Sequence, residues 1–291
     1  MNPVNDVAKI RGRQHFPSIC LRGKLHSFEH PQVMGILNLN GDSFYAGSRV
    51  VEADEAVRRA ALQIAQGAHF IDLGASSTRQ GAAWSDAEME WQQLEPALVA
   101  IRKAFPEVYL SVDTYHAKVA ERAVHAGADM INDISAGSFD AELWNTVARL
   151  QVPYILMHMQ GSPATMQQNP HYADVTGEVL LDLSAKVQVL FRMGMKDVLV
   201  DPGFGFGKTL EHNYQLLKHL PEFLDLGCPL LVGVSRKSMV TRLLEVSADE
   251  ALNGTTALHM LALDQGAHLL RVHDVKEAME AIRIHSYFIR A

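Results

Sequence analysis

Short apolar runs of strand length recur along this chain, and each is followed by a segment with helical periodicity. The first unit pairs Val33–Asn38 with a helix over about Glu52–Gln66. Next come His69–Leu73 with Asp86–Ala104, Val108–Val112 with His116–Ala126, and Met130–Asp133 with Ala141–Leu150. Pro153–Met157 is followed by Asp174–Met193, and Val198–Val200 by Thr209–His219. Leu230–Val234 precedes two helices, Ser238–Glu245 and Ala248–Gln265, and Leu269–Val272 precedes Val275–Arg290. Eight units in strict alternation predict an α/β fold, a single (β/α)8 TIM barrel. The runs are continuously apolar, as suits a parallel sheet covered on both faces. Gly67, Gly127, Gly194 and Gly266 each stand just past a predicted helix, where a left-handed cap is wanted.

Residues 31–291 are assigned to the barrel, and 1–30 to an N-terminal extension. Within that extension, 18–28 reads as a hairpin about Arg22-Gly23 that could cover the barrel bottom. The 48% hydrophobic content excludes intrinsic disorder. No apolar run approaches the roughly 18 residues of a membrane span. The first residues lack the apolar core of a secretory signal. The 2 cysteines, Cys20 and Cys228, make no disulfide scaffold, so a cytoplasmic setting is expected. Lys9, Arg11, Arg13, Arg22 and Lys24 against Asp6 and Glu29 make the extension basic, so the body is more acidic than the net −7. An acidic body is a poor nucleic-acid binder, and neither nucleic acid nor membrane is an expected partner.

Barrels of this class place their chemistry at the C-terminal ends of the strands. All 8 predicted strand ends here carry polar or charged groups. They are Asn38, Asp72, Asp113, Asn132 with Asp133, His158, Asp201, the run from Ser235 to Ser238, and Arg271 with His273 and Asp274. Any single Asp or Asn in such a place is as readily a turn former or helix cap. His158 could equally be a packed histidine, and the glycine-rich run 203–207 a turn. The cations Arg79, Lys208, Arg236, Lys237 and Arg271, with His273, point to an anion site at one mouth. Asn38 adds a neutral oxygen suited to Mg2+ beside phosphate oxygens. No His, Cys and Glu set shows zinc spacing.

From about Pro31 onward the chain resembles the dihydropteroate synthase family. The resemblance rests on MGILN (34–38) with DSF (42–44), IDLGASSTR (71–79), SVDTY (111–115), INDIS (131–135), MHMQG (157–161), DPGFGFGK (201–208), SRKS (235–238) and RVHDV (271–275). It implies condensation of 6-hydroxymethyl-7,8-dihydropterin pyrophosphate with 4-aminobenzoate, releasing pyrophosphate in an SN1-like, Mg2+-assisted displacement. By this resemblance Asp113, Asn132, Met157, Asp201, Phe206, Gly233 and Lys237 would bind the pterin. Asn38, Arg79, Arg271 and His273 would take the pyrophosphate, with Asn38 on the metal. Thr78, Arg79, Gln80, Phe206, Arg236 and Ser238 would surround the aminobenzoate. Asn38, Asp42, Arg79, Lys237, Arg271 and His273 would carry the catalysis. A homodimer is also implied, as are mobile loops after the first two strands.

Those two loops depart from the family pattern. The usual N-x-T-P-D-S-F-x-D-G-G reads N-L-N-G-D-S-F-Y-A-G-S here, so Thr-Pro is replaced by Asn40-Gly41 and an Asp by Ala46. In the second loop T-R-P-G reads Thr78-Arg79-Gln80-Gly81. Altered sulfonamide sensitivity is therefore an expectation. The alternatives are a pterin-binding paralogue with little turnover and, third, a pterin-dependent methyltransferase.

Overall fold

The computed structural model describes residues 16–39, 46–75, 86–162, 166 and 170–291, and in the segment 46–51 its backbone alone. An antiparallel hairpin, β1 (Ser18–Leu21) and β2 (Lys24–Ser27), opens the fold. Eight parallel strands follow: β3 (Gln32–Asn38), β4 (Phe70–Gly74), β5 (Tyr109–Asp113), β6 (Met130–Asp133), β7 (Tyr154–Met157), β8 (Val198–Asp201), β9 (Leu231–Val232) and β10 (Leu269–Val272). Their order is β8-β7-β6-β5-β4-β3-β10-β9, and a parallel bridge between Val200 and Leu230 joins the two ends into a barrel.

Helices α1 (Ala46–Ala65), α2 (Ala87–Ala104), α3 (Ala117–His125), α4 (Leu143–Leu150), α5 (Val175–Arg192), α6 (Leu210–Lys218), α7 (Ser238–Leu244), α8 (Leu252–Asp264) and α9 (Val275–Phe288) form the outer layer. Local chemistry explains α2. Asp86 caps it by accepting from the Glu88 and Met89 amides, and Arg102 and Lys103 close its last turn. Its buried Trp91, Leu94, Leu98 and Ile101 recur at helical spacing and face the sheet. The glycines expected to end helices, Gly67, Gly127, Gly194 and Gly266, all have positive φ.

Most element bounds shift by one to a few residues, and three differences stand out. The first helix begins at Ala46, not Glu52, because its opening turns carry no apolar stripe to mark them. The strand expected over Leu230–Val234 is only Leu231–Val232, since the chain turns at once toward α7. A 3-10 helix over Leu220–Leu226, with Pro221 in its first turn, has no counterpart in the sequence pattern.

Inside the barrel the side chains form layers. Met34, Phe70, Met130, Ile155, Leu199, Leu231 and Leu269 meet at the bottom, where Ile19, Leu21 and Phe28 from the hairpin seal them. Arg22 and Gly23 turn the hairpin with φ of 50° and 73°. The Arg22 guanidinium clasps Asp129 at 2.6 and 2.9 Å, and Asp129 also accepts from Arg102 and from the Leu110 amide. Side chains alternate along each strand, so two residues up from this apolar plug stand Asp72, Asn132, Asp201, Gly233 and Arg271.

Candidate active site

The strand register brings Asn38 beside Gly74, Gly74 beside Asp113 and Asp113 beside Asn132. Gly74 keeps this row open, because a β-carbon there would lie 3.5 Å from the Asp113 β-carbon and 3.7 Å from Asn38 Oδ1. Across the barrel, Arg271 donates from Nε to Asp72 Oδ2 at 2.7 Å and from Nη2 to Asp113 Oδ2 at 2.9 Å. Asn132 Nδ2 donates to the same Asp72 oxygen at 3.0 Å. Asp72, Asp113, Asn132 and Asp201 are all buried.

Charge in this layer is finely balanced. Burial raises Asp113 to about 7; Arg271 opposes the shift and Asp72 adds to it. Burial also raises Asp201, against the Lys237 ammonium and the Gly203 amide that donates to it. Lys237 is lowered to about 8 by burial, with Asp201 opposing. For Arg271, desolvation is outweighed by Asp72 and Asp113, so it stays charged. His273 stands exposed at the rim; local desolvation, then Arg271, lowers its imidazole to about 4. Arg271 is thus the fixed cation of the layer, while burial draws both Asp113 and Lys237 toward their neutral forms.

Lys237 donates to the Phe204 carbonyl at 2.7 Å and lies 4.8 Å from the Phe206 ring centroid. Gly233 makes room for it, since a β-carbon there would stand 3.5 Å from Lys237 Nζ and 3.9 Å from Asp201 Oδ2. Met157 packs with Ile134 and Tyr115 in a small apolar cluster that Phe206 borders. A cleft of about 810 Å³ opens above, lined among others by Asn38, Phe206, Lys237, Ser238, Arg271 and His273.

Asn38, Asp113, Asn132, Met157, Asp201, Phe206, Gly233, Lys237, Ser238, Arg271 and His273 therefore gather at one mouth. Arg236 lines the same cleft, but its guanidinium clasps Asp274 at 2.8 Å twice and takes the Ala248 and Asp249 carbonyls. Asp42, Thr78, Arg79 and Gln80 lie outside the described residues, as do Asn40 and Gly41 and the side chain of Ala46. Lys208 corrects the sequence expectation. It is buried beneath the glycine-rich loop, not on the rim, and bonds to His158 and to loop carbonyls. Asp133 is structural, accepting from the Ser135 and Gly137 amides and the Tyr154 hydroxyl. Asp72 is, in sequence, only one polar strand end among eight, yet it holds both Arg271 and Asn132. Its signal is a charge inside an apolar run, at the same alternation as the interior residues.

The family model described as pterin binding enzyme matches residues 34–273. Dihydropteroate synthase of Escherichia coli strain K12 is 45% identical over 265 residues, covering 90% of this chain and 93% of that protein. A Yersinia pestis dihydropteroate synthase in a sulfonamide drug complex is 41% identical, with a TM-score of 0.88 over 94% of this chain and 100% of that one. The Xanthomonas albilineans enzyme in complex with 7,8-dihydropteroate is 34% identical, with a TM-score of 0.83 over 94% and 100%. Eight parallel strands, a mouth of buried acceptors and cations, and relatives along nearly the whole length agree: this chain belongs to the pterin-binding enzymes, among the dihydropteroate synthases.

Proposed function

We propose that this barrel mouth joins 6-hydroxymethyl-7,8-dihydropterin pyrophosphate to 4-aminobenzoate and releases pyrophosphate. The observation that carries this reading is the convergence of Asp113, Asn132 and Asp201 with Arg271 and Lys237 in one layer, next to the cleft that Lys237, Arg271 and His273 line. Buried oxygens of Asp113, Asn132 and Asp201 accept from the amino and ring N–H groups of the pterin. Lys237 donates to its carbonyl, while Met157 and Phe206 face the flat ring. Arg271 and His273 receive the pyrophosphate. Ser238 binds the aminobenzoate carboxylate, with Arg236 holding the neighbouring loop in place. Asp42, Thr78, Arg79 and Gln80 complete the two substrate sites.

The bond from the pterin's exocyclic carbon to the pyrophosphate oxygen breaks first. The electron pair leaves with pyrophosphate, and the pterin delocalises the cation left behind. The arylamine then forms the new C–N bond and gives up a proton. No protein nucleophile is required. Among the described residues no group of 3 or more His, Cys, Asp or Glu side chains could hold a metal. The half-buried Asn38 amide oxygen is a single neutral donor, which suits a Mg2+ ion that keeps its waters and takes phosphate oxygens. Asn38 would hold such an ion, and its positive charge would be supplied to the departing pyrophosphate.

The protein incubated with Mg2+ and both substrates is expected to release one pyrophosphate for each dihydropteroate formed. Tight pterin pyrophosphate binding without product would instead mark a binding paralogue. A sulfonamide arm tests the altered loops: undiminished product supports resistance, and strong inhibition refutes it. The homodimer is proposed through Leu243, Leu244, Leu261, Ile284, Tyr287 and Phe288, which are exposed on α7, α8 and α9. Light scattering should then give twice the 32.2 kDa chain mass, and a monomer would refute it.

A further inference from the structure

Lys208 is among the most deeply buried cations of the described residues, 2% exposed, and no carboxylate among them bonds to it. Its ammonium instead stands 3.0 Å from each of three acceptors: His158 Nδ1, the Gly203 carbonyl and the Phe206 carbonyl. Three N–H donors thus meet three acceptors, with the His158 carbonyl more distant at 3.5 Å. Because Nδ1 accepts, His158 carries its proton on Nε2. A buried cation is costly unless its bonds are made. Here its acceptors are the two ends of one tight loop and the exit of the neighbouring strand.

That loop lies directly on the β7 exit. A β-carbon at Gly203, where φ is +73°, would stand 1.8 Å from the His158 carbonyl oxygen, and one at Gly207 2.5 Å from that of Gln160. The Phe206 amide donates to the Gly203 carbonyl, so Lys208 and the turn share one acceptor. Three groups of this loop reach the pterin-facing layer. The Gly203 amide donates to Asp201 at 2.8 Å, the Phe204 carbonyl accepts from Lys237 at 2.7 Å, and the Phe206 ring flanks the same ammonium at 4.8 Å.

We propose that Lys208, with His158 as its partner, is a positioning residue: it gathers the 203–207 loop so that Phe204 and Phe206 fix the Lys237 ammonium where the pterin carbonyl is received. The role deepens the synthase reading and rests on it for the ligand, but the placement of Lys237 can be read without any ligand. Removing the ammonium leaves the Phe206 carbonyl and His158 Nδ1 without the donor they have here, and leaves the Gly203 carbonyl with the Phe206 amide alone. The loop then relaxes toward water and the Lys237 contact is lost.

The test uses the full-length protein and a double-mutant cycle between Lys208→Met and Lys237→Met, reading the Kd for pterin pyrophosphate by calorimetry. Lys208→Met alone is expected to weaken binding at least tenfold. In the Lys237→Met background the same change is expected to weaken it less than threefold, because the group it positions is gone. Equal losses in both backgrounds, or no loss in a folded Lys208→Met protein, would overturn the proposal. Should Lys208→Met fail to fold, His158→Ala is put through the same cycle with the same two outcomes. A crystal structure of the ligand-free variant supplies the independent reading. A distance from Lys237 Nζ to the Phe204 carbonyl beyond 3.5 Å supports the role, and an unchanged contact refutes it. If the wild-type chain binds no pterin pyrophosphate, the synthase reading fails while this structural arm still decides the role of Lys208.

Discussion

Arg271 is the residue on which the inner layer turns. One guanidinium bridges two buried carboxylates, Asp72 and Asp113, that come from different strands. A planar fork can do this and a point-like ammonium cannot. Arg271→Met should therefore cost about 3–5 kcal/mol of unfolding free energy and abolish turnover, since two carboxylates lose their cation. Arg271→Lys should fall between, keeping one partner and losing the other. Denaturant unfolding of the three proteins checks the order, and a lysine variant as stable as the parent would refute the bridging role. None of this pairing is legible in sequence. Asp72 and Arg271 are 199 positions apart, and only closure of the barrel brings them to 2.7 Å. The strand-end rule still collects Asn38, Asp113, Asn132 and Asp201, because position along a strand is local information. It misplaces Lys208 for the same reason: a cation that follows a glycine-rich loop can point out of the mouth or back under the loop, and backbone geometry decides.

Elements are legible wherever their pattern is local. Met130–Asp133 and Leu269–Val272 have the bounds that their apolar runs predict. Strand β9 and the 3-10 turn escape such reading because both depend on how the chain is pulled across the barrel rather than on periodicity. The hairpin belongs to the first kind, its Arg22-Gly23 turn being marked in the sequence. What holds it to the barrel is less visible, namely the Arg22 side chain reaching Asp129, 107 positions away. Arg22→Ala should lower stability by about 1.5–3 kcal/mol in urea unfolding, the range of charge-assisted hydrogen bonds. Asp129 keeps Arg102, so a larger loss is not expected. Asp129→Ala, which releases both arginines, should cost more. Equal effects of the two changes would show that Arg22 carries the whole anchor.

At the scale of the whole molecule, burial of histidines ties stability to pH. His259 is buried in α8 with no hydrogen-bond partner for either ring nitrogen among the described residues, and burial lowers it to about 4. Its unfolded value is about 6.5, so below that pH the unfolded chain takes up a proton that the folded chain refuses. Stability contributed by this site is thus lost as pH falls from about 6.5 to 4. The loss is on the order of 3 kcal/mol, because each tenfold drop in proton affinity is worth roughly 1.4 kcal/mol. Asp113, raised by burial, acts in the opposite sense over the same window, so the clean measurement is a difference. His259→Leu should flatten the pH dependence of unfolding relative to the parent, and identical profiles would refute the assignment.

The apolar plug at the barrel bottom has a consequence for how substrates arrive. Hydrocarbon from Met34, Phe70, Leu199 and Leu231 insulates Lys237 and Arg271 from solvent on that side. Field lines from those cations cannot leak down the barrel axis into water and emerge through the open mouth instead. Both proposed substrates are anions, and the chain as a whole is acidic. The barrel thus works as a port closed at one end, its polar layer meeting an arriving anion along a single axis.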